Sequence, residues 1–183
     1  FGGRTFGVAG DSIMAEFGNP VEALRAAFAF QERIVTLNAE VAEEMRMPFR
    51  AGINTGDVIV REGRLYGDDV NIAARVQEFA PRDGLAISET TWHHVKDKTA
   101  AVFTDLGEFR LKNIALPVRV LIAGRGGNGA TMATHVVALP AVPGHGAPFP
   151  KGPPAIVERT NQAVQAALND PELAQCRAPP RPL

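Results

Sequence analysis

The chain has 183 residues, enough for one domain of ordinary size with some length to spare. Its 19 lysines and arginines nearly balance 20 aspartates and glutamates, so a net charge of −1 gives no basis for a nucleic-acid or membrane surface, and any phosphate site has to be local. The single cysteine, Cys176, excludes an intrachain disulfide framework and fits a reducing compartment, and no apolar run approaches the roughly 18 residues of a membrane span. The sequence opens on Phe1 with neither a methionine nor a charged-then-apolar leader, as a segment cut from a longer protein would.

In chain order, residues 4–9 and 12–17 are short apolar runs joined by Gly10-Asp11, which predicts a β-hairpin with Asp11 at its tip. There the aspartate is either a turn residue bonding its own backbone or a carboxylate for a hard cation such as Mg²⁺, which is held by one or two acids together with substrate phosphates. Asn19-Pro20-Val21-Glu22 then supplies a helix cap, a first-turn proline and a glutamate three residues after the cap. Ala27, Phe30, Ile34, Leu37, Val41 and Met45 recur every three or four residues, with Leu24 and Phe28 widening the stripe. A helix over 21–46, closed by Pro48 and lying on a sheet, is predicted.

Residues 49–60 are strand material whose glycines point to a bend or a close backbone approach. After a polar turn at 61–64, Leu65-Tyr66 leads into Gly67-Asp68-Asp69 and a helix over 70–79. Asn71 and Arg75 are four residues apart, so both side chains fall on one helix face about a turn apart, where they can address one ligand. The pair suits a phosphorylated substrate: arginine offers a planar fork to phosphate oxygens, asparagine orients a hydroxyl or ring oxygen, and Ala73 and Ala74 allow close packing. The competing reading is a plain helix start, with Asp68 or Asp69 as N-cap and Arg75 as a surface charge. Residues 85–88 read as a short strand, 89–96 as a short helix, 102–112 as a strand and bend, and 118–123 as the last strand. His93 and His94 are adjacent, point in different directions and make a poor metal pair.

Beyond Ala123 the composition shifts. Residues 124–152 are rich in glycine and proline and read as a linker in which His135 and His145 are isolated. An amphipathic helical segment is predicted over 153–175, with Val157, Val164, Ala167 and Leu168 on one side and Asp170-Pro171-Glu172 capping a second turn. Residues 176–183 have no helix or strand period.

Four motifs stand in order within residues 1–123: Ala9-Gly10-Asp11-Ser12, Phe49-Arg50-Ala51-Gly52-Ile53-Asn54-Thr55-Gly56-Asp57, Tyr66-Gly67-Asp68-Asp69-Val70-Asn71-Ile72-Ala73-Ala74-Arg75, and Leu106-Gly107-Glu108-Phe109-Arg110-Leu111-Lys112-Asn113-Ile114. With them the region resembles the class III adenylate/guanylate cyclase catalytic domain, closest to its bacterial branch. The resemblance implies an α/β sandwich with ferredoxin-like connections, in which a mostly antiparallel sheet is covered by the 21–46 and 70–79 helices and the family's first strand is missing. It implies that Asp11 is one of two acids holding paired Mg²⁺ or Mn²⁺ ions, that Asn71 orients the ribose, and that Arg75 stabilises charge on the transferring phosphate. Lys112 matches the lysine that grips the terminal phosphates, although from the residues alone it could equally be a solvated strand-end lysine. In the family the site lies across a homodimer interface, so Asp11 of one chain would meet the partner subunit's Asn71, Arg75 and Lys112.

Three departures from the family pattern follow. The other metal acid belongs to a strand upstream of the hairpin, outside these residues, so the chain alone is expected to be inactive or nearly so. The position of the base-reading lysine of many adenylate cyclases is Gly7, and the partner acid expected before Leu65-Tyr66 is Arg64. A guanidinium cannot accept a hydrogen bond from an adenine amino group, so the purine is not read from these positions. ATP is favoured over GTP because most bacterial relatives are adenylate cyclases.

The tail resembles something else: Lys151-Gly152-Pro153-Pro154-Ala155-Ile156-Val157-Glu158-Arg159 through Asp170-Pro171-Glu172 is similar to a C-terminal helix of the periplasmic solute receptors of tripartite tricarboxylate transporters. A gene fusion or frameshift would account for it, as would a chance likeness of an ordinary linker and helix. The leading expectation is a cytoplasmic, metal-dependent homodimer converting ATP to cyclic AMP and pyrophosphate, without nucleic-acid or membrane contact. The alternative is a non-catalytic cyclase-homology module that binds nucleotide or a partner domain. A solute receptor fragment is the weaker third reading, since neither signal peptide nor receptor core is seen.

Overall fold

The computed structural model describes residues 1–9, 12–61 and 64–126. The hairpin tip Gly10-Asp11 and all of the expected linker and tail after residue 126 lie outside the described residues. The first two strands, β1 (Arg4–Ala9) and β2 (Ser12–Glu16), pair antiparallel from Ala9 opposite Ser12 out to Arg4 opposite Glu16, as the Gly-Asp junction predicts. Arg4 closes the open end on the Glu16 carboxylate at 2.6 Å.

Asn19 starts the long helix. Its side-chain oxygen accepts the Val21 N–H at 2.9 Å, and Pro20 occupies the first turn, where a missing N–H costs nothing. The helix, α1 (Pro20–Ala39), stops short of the predicted 46, and only a 3₁₀ turn at Glu43–Met45 follows. The Asn38 amide supplies the cause, donating to the Met47 carbonyl at 2.7 Å and accepting the Met47 N–H at 3.0 Å. That two-way bond mimics a strand partner and folds residues 40–47 back on the helix end, leaving Met45 48% exposed although it continues the apolar period.

The strand material at 49–60 divides in two. β3 (Ala51–Ile53) runs parallel to β6 (Leu85–Ser88), which pairs antiparallel with β8 (Val118–Gly124), which in turn pairs antiparallel with β7 (Val102–Phe109), for a sheet order β3-β6-β8-β7. β4 (Ile59–Arg61) and β5 (Arg64–Tyr66) form a separate antiparallel hairpin that delivers the chain into α2 (Asp68–Val76). The last described helix, α3 (Glu89–Val95), is capped by the Ser88 side chain on the Thr91 N–H.

Alternation along β6 builds a core on each face of the sheet. Leu85 and Ile87 join Leu24 of α1, Val95 of α3, and Leu121 and Ala123 of β8 in one cluster. Ala86 joins Val76 of α2, Ala80 and Val120 in the other. Helices α1 and α3 therefore cover one face and α2 the opposite one, the α/β sandwich expected from the sequence. Four consecutive buried residues in a four-residue strand are what a sheet covered on both sides requires.

Candidate functional site

Helix α2 carries the predicted pair. Ile72 and Val76 turn into the core, so the stripe beside them, Asn71, Arg75 and Glu78, lies at the surface. Asn71 is exposed; Arg75 is half-buried, and its Nη1 donates to Glu78 Oε1 at 2.7 Å. A phosphate arriving at Arg75 would compete with that carboxylate for the guanidinium fork.

The aspartate cap of the competing plain-helix reading is not what starts α2. The N-cap is Gly67 at φ 139°, without a side-chain bond, and Asp68 and Asp69 both lie in the first turn. The positive φ suits glycine, and an alanine there would be strained. Asp69 instead reaches back to the loop after β3: Asn54 Nδ2 donates to its Oδ1 at 2.9 Å and the Asp57 backbone N–H to its Oδ2 at 3.0 Å. Sequence reasoning missed this contact. Its trace is a short apolar strand ending abruptly in Asn54-Thr55, with Ser88 and Thr91 at the end of another buried run, a pattern that buried hydrogen-bonding side chains produce.

Lys112 is exposed on the turn after β7, next to the buried Leu111, with Asn113 at φ 63° and the Ile114 N–H returning to the Leu111 carbonyl at 3.2 Å. The end of β7 is tied to the 3₁₀ turn Gln77–Phe79 that follows α2 by Phe79 and Phe109, whose rings lie 4.5 Å apart. Thus Asn71 and Arg75 share a helix face, and Lys112 stands on a separate connection packed against the same layer. Gly7 falls at the irregularity in the β1–β2 register between Phe6 and Val8, and Arg64 opens β5 opposite Arg61. Asp11 lies outside the described residues, and among the described residues no three histidines, cysteines or acids gather into a metal cluster. The His93 ring meets that of Trp92 at a tilt of 59°, with centroids 4.9 Å apart, on the exposed side of α3.

Among the described residues, a perturbed acid–base pair lies away from this stripe. Asp105 accepts the Gly107 N–H at 2.8 Å and Arg119 Nη1 at 2.7 Å, and these bonds, the backbone one first, hold its carboxyl below the usual range. The same pairing raises the Arg119 guanidinium, with Glu89 and Glu108 within 3.7 Å adding to it.

Fold and site define the class: an α/β sandwich domain with a polar helix stripe beside its sheet. Residues 3–137 match the family model described as "Adenylate and Guanylate cyclase catalytic domain". The chain belongs to that family. It is 37% identical over 118 residues to "Putative adenylate cyclase 3" of Rhizobium meliloti, covering 64% of this chain and 20% of that one, so it spans about a fifth of that relative's length. Among solved structures it resembles the adenylate/guanylate cyclase/hydrolase from Silicibacter pomeroyi, with a TM-score of 0.62 at 32% identity over 67% of this chain and 72% of the other. It shares the fold of the adenylyl cyclase CyaB from P. aeruginosa, with a TM-score of 0.58 at 22% identity over 69% and 74% of the two chains. No described helix is long and apolar enough to cross a membrane.

Proposed function

We propose that this domain cyclises a nucleoside triphosphate in the cytoplasm, with ATP as the favoured substrate and cyclic AMP and pyrophosphate as products. The observation that carries the reading is the placement of Asn71 and Arg75 on one exposed face of α2 within the family-matched region. The ribose 3′-oxygen attacks the α-phosphorus as its proton leaves, and the bond from that phosphorus to the bridging oxygen breaks, with pyrophosphate taking the electron pair. Asn71 holds the ribose so that the 3′-oxygen lies in line, a gain from orientation rather than from new bonding. Arg75 leaves Glu78 and neutralises the charge that grows on the transferring phosphate, and Lys112 holds the terminal phosphates. ATP is preferred to GTP on the strength of the 37% identical relative's name.

Asp11 has the right chemistry for a metal: a hard carboxylate, to which substrate phosphates add the remaining oxygens. When bound, Mg²⁺ or Mn²⁺ would lower the pKa of the 3′-hydroxyl and offset phosphate charge. In the family a second metal acid precedes the hairpin on another strand. The separation of the β1–β2 hairpin from the four-stranded sheet, which ends on β3, agrees with an additional strand between them. We therefore expect these 183 residues alone to turn over weakly or not at all.

The exposed apolar side chains of Val58, Ile59, Val60 and Tyr66 on the β4–β5 hairpin support a homodimer whose two chains share each site. A second reading, a cyclase-homology module that binds nucleotide without turnover, is favoured by the carboxylate of Glu78 already seated on Arg75. Cyclic nucleotide production with ATP or GTP and Mg²⁺ or Mn²⁺, measured for this chain and for a version extended upstream, decides between them. Activity in the extended protein that falls on the order of 10²-fold or more in Asn71→Ala and Arg75→Ala supports cyclisation. A folded, dimeric, extended protein that makes no product leaves the binding module as the better account.

A further inference from the structure

Polar side chains form a continuous chain from α2 to α3. The Asn54 amide donates to the Asp69 Oδ1 at 2.9 Å and to the Asp69 backbone carbonyl at 3.1 Å, while its own oxygen accepts the Ser88 hydroxyl at 2.7 Å. Ser88 Oγ in turn takes the Thr91 N–H at 3.3 Å. Thr91 Oγ1 reaches the Ile53 carbonyl at 3.3 Å and Thr55 Oγ1 at 3.1 Å. Since the one Thr91 hydroxyl proton goes to the carbonyl, Thr55 is the donor to Thr91. Ser88 and Thr91 are buried, so these partners are the only substitute for the water they have lost.

Asp69 is where this chain grips the helix. Each of its carboxylate oxygens is bonded, one to the Asn54 side chain and one to the Asp57 backbone. Two divergent bonds to a planar group fix both the rotation and the height of the first turn of α2, which has no side-chain cap of its own. The loop closes tightly around the carboxylate: a methyl added at Gly56 would overlap all three of its outer atoms. A negative charge in the first turn also meets the positive end of the helix dipole.

We propose that Asp69 is a positioning residue for nucleotide cyclisation, locking α2 against residues 54–57 so that Asn71 and Arg75 hold their reactive alignment; this rests on the cyclisation reading above. Asn71 follows Asp69 by two residues and Arg75 by six, on a helix that transmits any tilt of its first turn. Lys112 stands on the β7–β8 connection, outside the network, so the grip on the triphosphate is independent of it. The effect should therefore fall on kcat more than on KM.

The test is a double-mutant cycle in the upstream-extended protein, with folding followed by circular dichroism. Asp69→Ala is expected to lower kcat at least tenfold with KM within threefold, and Asp69→Asn, which keeps one acceptor oxygen, to recover part of the loss. In an Asn71→Ala background, Asp69→Ala should lower kcat by less than it does in the parent, because the part of its effect that runs through Asn71 is already lost. A kcat within twofold of the parent, or a full additive loss in the Asn71→Ala background, overturns the proposal. If Asp69→Ala fails to fold, Asp69→Asn carries the test, and an unchanged kcat there overturns it. If the parent makes no cyclic nucleotide, the cyclisation reading falls, and the clamp is judged by amide hydrogen exchange. Faster exchange in Asp69→Ala confined to the first turn of α2 supports the clamp; no change, or a rise spread to β6 and β8, overturns it.

Discussion

Thr91 has no exposed surface, yet its single hydroxyl donates to the Ile53 carbonyl and accepts from Thr55. Thr91→Val keeps the shape and removes those bonds, leaving the Ile53 carbonyl without its side-chain donor and the Thr55 hydroxyl without its acceptor. It should cost about 1–3 kcal/mol, read as a lower urea midpoint with an unchanged slope. The Arg75–Glu78 pair is of another kind. Its side chains are 38% and 45% exposed, so water screens it and its contribution is no more than about 1 kcal/mol. A contact so weak yields readily to a multiply charged phosphate. That Asn71 and Arg75 share a face could be read from spacing alone, because a helix period maps directly onto a face. Asp69 could not, since its partners lie 12 and 15 residues away and only the folded loop brings them within reach.

The elements show the same division between local and long-range causes. The start of α1 was legible in Asn19-Pro20 because capping is settled by neighbours in sequence, as β6 was in its apolar run. The end of α1 was not, since the apolar period runs on through Val41 and Met45 while Asn38 turns the backbone away by binding Met47. Where β3 crosses α2, the fit is close enough to exclude a methyl group: a Cβ at Gly52 would run into the backbone of Ala73 and Gln77. Gly52→Ala should therefore destabilise the domain by about 1–3 kcal/mol through displacement of α2, measured by chemical denaturation. Between β7 and β8, Asp105 has a lower pKa folded than unfolded. Its contribution is thus present above the unfolded value of about 4 and is lost as pH falls through the lower folded value. Asp105→Asn should flatten the decline in melting temperature below about pH 4 and leave its slope near neutrality unchanged.

At the scale of the molecule, the described residues form a sheet with a core on either side and two small hairpins set apart from it. The sandwich and the family were legible because four motifs and the order of strands and helices are properties of the sequence itself. The division into three separate sheets was not, because the pairing of a strand depends on what lies beside it. On the β4–β5 hairpin, Ile59 is 55% exposed and next to Val58 and Val60. Under the proposed dimer, Ile59→Lys should leave monomer stability within about 0.5 kcal/mol, as exposed substitutions do, and weaken association at least tenfold in sedimentation. Unchanged association would move the interface elsewhere.

β3, at one end of the four-stranded sheet, is also the shortest of its strands, three residues with a glycine at the centre. An unpaired sheet edge is a template on which foreign chains can stack into fibrils. Stacked cross-β assemblies draw on segments of about six residues with few glycines, and Ala51-Gly52-Ile53 is half that length. The same glycine that lets α2 approach thus makes this stretch a poor seed for amyloid whenever the proposed additional strand does not cover it.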